Sequence, residues 1–283
     1  MKNSNGMCQA LFMPFECFGV DSRRLKFPEG ECLHSFAEML LVREGKLGVS
    51  LSQDEMTVSP GEAALLCPGV IHRIAAVEPV RMDVIRLDPD RMSAMPEYCA
   101  SLSVIMAEAL RKKMPMQVSA AEAERMALPE LSAQCVTETA ARAFGYDCCV
   151  SGRLSIICMA VIKFWREHGL IMPDRRLAAD PIYSLSGYIQ RHLREGIRVE
   201  DLAAYCGLSY PWFAKKFREI YGISCKDYIE QIRISQVELF LRFTDLDLAE
   251  ISEATGFADC SHMIKNFKRV MDITPGQYRL RLR

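Results

Sequence analysis

No stretch of this 283-residue chain stays apolar for long: the longest clean run, Ile156 to Ile162, ends at Lys163 after seven residues, whereas a membrane-spanning helix needs about 20. No transmembrane helix is expected. Pro14 and Glu16 interrupt the apolar residues between Leu11 and Val20, which leaves no sustained core for a secretory signal, so the chain is expected in the cytoplasm. Cysteine is plentiful but unpatterned. The twelve cysteines run from Cys8 to Cys260 without one C-x2-4-C spacing, and Cys148–Cys149 is the only close pair. That excludes the usual zinc knuckle and points to reduced thiols rather than a disulfide framework. An excess of charge of one sign is missing too. The formal net charge is -1, with 15 Lys/Arg against 13 Asp/Glu in residues 181–283 and 20 against 23 in residues 1–180. So small a difference neither demands nor forbids a nucleic-acid partner, because binding depends on where basic groups cluster. With half its residues apolar and a quarter charged, the chain has an ordinary globular composition, which rules out disordered and collagen-like classes.

The length suits two domains. Short strands are expected at Met39–Val42, Lys46–Leu51, Met56–Val58, Ala63–Cys67, Ile71–Ile74 and Met82–Leu87, broken at Glu44-Gly45, Pro60-Gly61 and Pro68-Gly69. Several small strands with such breaks predict a sandwich or barrel over residues 1–90. After Pro89 the period turns helical through residues 91–172. Ser119 with Glu122 forms a capping box, and Pro129 kinks or restarts the helix that follows. In the next helix Leu154, Ile157, Val161 and Phe164 make one apolar stripe, which is either core or a dimer seam. Residues 173–180 read as a linker. Residues 181–283 read as wholly helical, with starts at Asp180-Pro181, Ser209, Ser224 and Thr274. The fold class is therefore α+β multidomain.

A repeat dominates the helical half. Leu202 to Leu208 parallels Ile251 to Phe257, and Phe213, Phe217, Ser224 and Tyr228 recur 50 residues later as Met263, Phe267, Thr274 and Tyr278. Each copy reads as a helix, a glycine turn and a second helix bearing basic groups: Lys215, Lys216 and Arg218 in one, Lys265, Asn266, Lys268 and Arg269 in the other. A glycine that permits positive φ, followed by a polar second helix, is the requirement of a helix-turn-helix. The joining helix, Lys226 to Arg242, spans roughly 27 Å at 1.5 Å per residue. With its flanking bundles it can set two recognition helices about one DNA turn apart, roughly 34 Å.

The segment Ile251 to Arg279, with Gly256-Phe257, Ser261, Phe267-Lys268-Arg269, Thr274-Pro275 and Tyr278-Arg279, resembles the signature of the AraC/XylS family of bacterial transcription regulators. The resemblance extends over the last hundred residues and implies a seven-helix DNA-binding domain with two helix-turn-helix units. This chain departs from the pattern at Asp272, where glycine is usual, at Met263, usually aromatic, and at Cys225, often proline. The resemblance places base-reading positions at Pro211, Ala214 and Lys215 in the first unit and at Cys260, Ser261, His262 and Lys265 in the second. The second unit is richer in hydrogen-bonding groups. Trp212 lies either against the DNA backbone or in the core.

The β segment resembles the cupin-like sensor half of the same family through His34-x3-Glu38, Gly45, Pro60-Gly61 and Pro68-Gly69-Val70-Ile71-His72. Metal-dependent cupins use two histidines, a glutamate and a further histidine. Here Phe36 stands where the second histidine belongs and Glu38 comes too early, so neither a metal, a cofactor nor a catalytic residue is assigned. The domain is expected to hold a small organic effector in an apolar cavity closed partly by Phe12 to Phe18, with His34, Glu38, His72 and Arg73 as its polar contacts. The resulting expectation is a regulator and not an enzyme, with promoter DNA, an effector, a second copy of itself and RNA polymerase as partners. The alternatives are a metal-dependent cupin enzyme with an appended DNA-binding domain, and a DNA-repair methyl acceptor, which the cysteine spacings disfavour.

Overall fold

A computed structural model of the chain describes residues 14–24, 32, 34, 36–51, 54–92, 100–173, 180–221 and 223–281. These fall into two compact units, one built from Pro14–Phe27 and Phe36–Ser184, the other from Leu185–Arg283 with the short segment Pro28–Ser35. Most of the expected linker, residues 174–179, lies outside the described residues.

The first unit carries β1 (Phe15–Asp21), β2 (Ala37–Glu44), β3 (Leu47–Leu51), β4 (Asp54–Val58), β5 (Ala63–Leu66), β6 (His72–Ala76), β7 (Arg81–Leu87) and β8 (Gln117–Val118). One sheet has the order β1-β7-β2-β5-β8 and the other β4-β3-β6, with every pairing antiparallel. Alternation decides what goes inside. Val20, Leu40, Val42, Met82 and Val84 meet in one buried cluster with Leu47, Val49, Leu51 and Val58 from the second sheet. Strand β2 is buried on six successive residues because one of its faces looks into this cluster and the other is covered by helices. Strand β1 was not anticipated. Phe15 to Phe18, expected as a flap over a cavity, are paired instead with Leu87 to Val84 of β7, and Phe12 lies outside the described residues.

Among its described residues the unit also has four α-helices: α1 (Leu102–Arg111), α2 (Ala120–Arg125), α3 (Leu128–Ala141) and α4 (Tyr146–Glu167). Ser119 and Glu122 form the expected capping box on α2. The chain then breaks at Ala127, whose φ is +54°, and restarts with Pro129 in the first turn of α3, where a missing N–H costs nothing. Arg43 ties α3 to the sheet. Its guanidinium donates to Asp83, to the Pro129 carbonyl and to Ser132 Oγ, and Ser132 in turn donates to Asp83.

Helix α4 settles the apolar stripe: Leu154, Ile157, Val161 and Phe164 are all buried within the unit, so they are core and not a seam. At 22 residues, α4 is long and apolar enough to cross a membrane by length and composition alone, contrary to the reading of the longest apolar run. Eight of its side chains are nevertheless buried, and Trp165 donates its indole N–H to the Pro115 carbonyl at 2.9 Å. It is the core helix of a folded domain.

The second unit contains seven α-helices among its described residues: α5 (Leu185–His192), α6 (Val199–Tyr205), α7 (Tyr210–Tyr221), α8 (Cys225–Phe243), α9 (Leu248–Ala254), α10 (Cys260–Met271) and α11 (Pro275–Arg281). The 19-residue α8, about 28 Å long, packs against α7 on one side and α9, α10 and α11 on the other.

Candidate functional site

The 50-residue offset is a structural repeat. Leu202 and Ile251, one residue short of that offset, and Phe213 and Met263, and Phe217 and Phe267, are buried pairwise at equivalent places. The turns between α6 and α7 and between α9 and α10 hold Gly207 and Gly256 with φ of +64° and +71°. Phe213 and Phe217 join Tyr221 and Tyr228 in an aromatic cluster under α7. Under α10, Met263, Phe267 and Met271 pack with Ile234, Val237 and Leu241 of α8. The three departures from the family pattern fit their places. Asp272 closes α10 in the left-handed conformation, which Asp tolerates better than most residues, and Met263 and Cys225 are buried.

Burying those faces turns the remaining side chains outward. On α7, Pro211, Trp212, Lys215 and Arg218 are exposed, with Ala214 partly covered; on α10, Ser261, His262, Lys265, Lys268 and Arg269 are exposed, with Cys260 half-buried and Asn266 buried. Asp259 caps α10 by accepting from the His262 N–H at 2.7 Å, and the His262 ring meets Phe257 edge-on. Arg269 leans toward Glu230 at 3.3 Å. Lys265 makes no ion pair among the described residues. The candidate base-reading residues thus lie on the outward faces of two equivalent second helices, with Ala214 and Cys260 partly covered, whereas Asn266, one of the polar groups of the second helix, is carried inward by the helical turn. Trp212 was not assigned from sequence, since composition alone puts most tryptophans in a core.

Three of the four candidate effector contacts come together: a ring nitrogen of His34, a carboxylate oxygen of Glu38 and a ring nitrogen of His72 lie within 4.8 Å of one another, and all three residues are buried. Glu38 and His72 point to the inner side of their strands and are buried. Arg73, next along β6, is exposed on the outer side, as strict alternation requires. Sequence reasoning missed the partner of Glu38. Strand register sets Glu16, Arg86 and Glu38 in one row across β1, β7 and β2. The Arg86 guanidinium donates to Glu38 at 2.6 Å and lies between the Phe18 and Phe36 rings. His72 Nδ1 bonds the Val70 carbonyl at 2.9 Å.

Inside the strands, where the cavity was expected, Val, Leu and Met side chains of both sheets pack together. A small apolar cavity lies instead between the outer face of the first sheet and the helices, lined by Met39, Leu65, Ile85, Met106, Ile157 and Trp165 among others. Cys67 and Cys158 also line it, and burial pushes both thiols up to about 12. They are packing groups at neutral pH and not nucleophiles.

Two family models match the chain: an AraC-like ligand binding domain at residues 14–125 and a helix-turn-helix domain at residues 202–281. An uncharacterised HTH-type transcriptional regulator of Staphylococcus aureus is 30% identical over 100 residues, which are 35% of this chain and 13% of that protein. Regulatory protein PocR of Salmonella typhimurium is 32% identical over 92 residues, 32% of this chain and 30% of that protein. Both matches thus span well under half of the relatives' own length. Among solved structures, ToxT of Vibrio cholerae with a bound unsaturated fatty acid aligns with a TM-score of 0.66 and 15% identity, covering 95% of each chain. The likeness extends to the whole fold.

Proposed function

Because the chain belongs to the AraC family of helix-turn-helix regulators, we propose that it binds promoter DNA and that a small organic effector in its N-terminal domain modulates that binding. One observation carries the reading: two equivalent helix-turn-helix units stand in one compact unit, joined by a single helix, with polar and basic side chains on the outward face of each second helix. Such faces fit successive major grooves. In this reading Pro211, Ala214 and Lys215 face the first groove, and Cys260, Ser261, His262 and Lys265 read bases in the second. The protein acts by binding rather than catalysis, in the cytoplasm where promoter DNA and RNA polymerase are present.

The effector reading narrows to His34, Glu38 and His72, with Arg86 added, because Arg73 faces outward. Effector binding is expected to favour one of two promoter affinities, and by reciprocity DNA then changes effector affinity by the same factor. For a two-site promoter we propose a homodimer formed through the exposed side of α4 that carries Ile156, 56% exposed, in place of the buried stripe.

Lys265→Ala tests the DNA reading. On a duplex that the full chain enriches from a random pool, binding should weaken by about 1 to 3 kcal/mol, with relaxed preference at one base position. Equal weakening on all duplexes would reassign Lys265 to phosphate, and wild-type affinity would remove it from the interface.

A further inference from the structure

Trp212 stands 56% exposed on α7, one turn before Lys215, whose Nζ lies 5.7 Å from the centre of the indole ring. The apolar side of this helix is already supplied by the fully buried Phe213 and Phe217, so packing does not call for a third large ring there. Lys215 reaches Glu219 only at 4.0 Å, with both side chains more than 60% exposed, a pairing that contributes little. Three features therefore sit side by side on the outward surface: a flat apolar ring, one indole N–H donor and an ammonium group. Base edges are a poor complement to this set, because indole has no acceptor and the adjacent Pro211 and Ala214 side chains have neither donor nor acceptor. The sugar–phosphate backbone is a good one: deoxyribose offers an apolar face with acceptor oxygens of a phosphate on either side.

We infer that Trp212 contacts the DNA backbone, its ring against a deoxyribose and its N–H donating to a phosphate oxygen, and that its face steers the Lys215 ammonium to the neighbouring phosphate. The inference rests on reading α7 as a DNA-facing helix. It makes the first helix-turn-helix a sequence-neutral clamp and leaves base discrimination to the second. Attraction between a cation and an indole face holds the lysine in place, so Trp212 acts both as a contact and as a positioning residue.

The chain has two tryptophans, and Trp165 is 1% exposed in the other unit, so iodide quenching reports on Trp212. The full chain is titrated with a duplex enriched from a random pool and with a scrambled duplex of the same length. On saturation, quenching by iodide should fall by about half or more as the backbone covers the ring. Trp212→Phe should lose that signal and keep affinity within about threefold, since a ring remains. Trp212→Ala should bind both duplexes roughly 5- to 30-fold more weakly, the scale of one aromatic contact to nucleic acid, with an unchanged ratio between them and unchanged thermal unfolding. Undiminished quenching on saturating DNA, or wild-type affinity of Trp212→Ala, overturns the contact. A changed ratio between the duplexes overturns the backbone assignment. Failure of the full chain to enrich any duplex overturns the DNA-binding reading itself, and this inference with it.

Discussion

Gly256→Ala should abolish promoter binding, whereas Gly207→Ala, at the equivalent place in the other helix-turn-helix, should only weaken it. Both glycines have positive φ, so each alanine incurs roughly 1 kcal/mol for a left-handed backbone. Their surroundings differ. A Cβ at Gly207 meets nothing within 4 Å, but at Gly256 it lies 2.0 Å from the carbonyl oxygen of Leu193. That oxygen belongs to the backbone just after α5, and it cannot retreat by a rotamer change. The turn of the second helix-turn-helix is thus seated against the start of the first. Gly256→Ala must separate them, at about 4 kcal/mol or more, a large share of a domain's usual stability. Urea unfolding of the two variants, followed through the C-terminal unit, checks the order. Equal losses would mean that the Leu193 contact yields easily.

Leu154→Asp and Ile156→Asp, two residues apart on α4, should behave oppositely. Leu154 is fully buried and Ile156 is more than half exposed. The first variant loses a core side chain, about 2 to 5 kcal/mol, and also buries a carboxylate with no partner, so the first unit should unfold or precipitate. Ile156→Asp should fold with wild-type circular dichroism. If the exposed side of α4 is the dimer surface, sedimentation of that variant should give a monomer. A two-site promoter would then be bound more weakly, because the second site no longer benefits from a high effective concentration. An unchanged dimer would move the interface elsewhere, and a soluble, cooperatively unfolding Leu154→Asp would contradict the packing of α4.

The helical half was largely legible in the sequence because its information is redundant. Each core position, such as Phe217 and Phe267, occurs twice at a fixed offset, and capping residues such as Ser224 and Thr274 hold the helix starts. The strand half was legible only where turns punctuate it. Strands β2 to β7 lie within a few residues of their expected places, but β1 was hidden, since Glu16 interrupts its apolar pattern and its partner β7 is 66 residues away by the Phe18–Val84 pairing. The stripe on α4 was ambiguous in principle: periodicity tells which face is apolar, not what covers it. The row formed by Glu16, Arg86 and Glu38 depends on register, which no local pattern specifies. Trp212 eluded assignment because its exposure is set by Phe213 and Phe217 having already filled the core.

Ethylation interference on a duplex enriched by the full chain tests the central claim, that the two helix-turn-helix units bind one DNA together. The account predicts two patches of sensitive phosphates on one face of the duplex, their centres about 10 base pairs apart, with affinity falling steeply as salt rises. A single patch, or binding that does not distinguish the enriched duplex from any other of the same length, would contradict it.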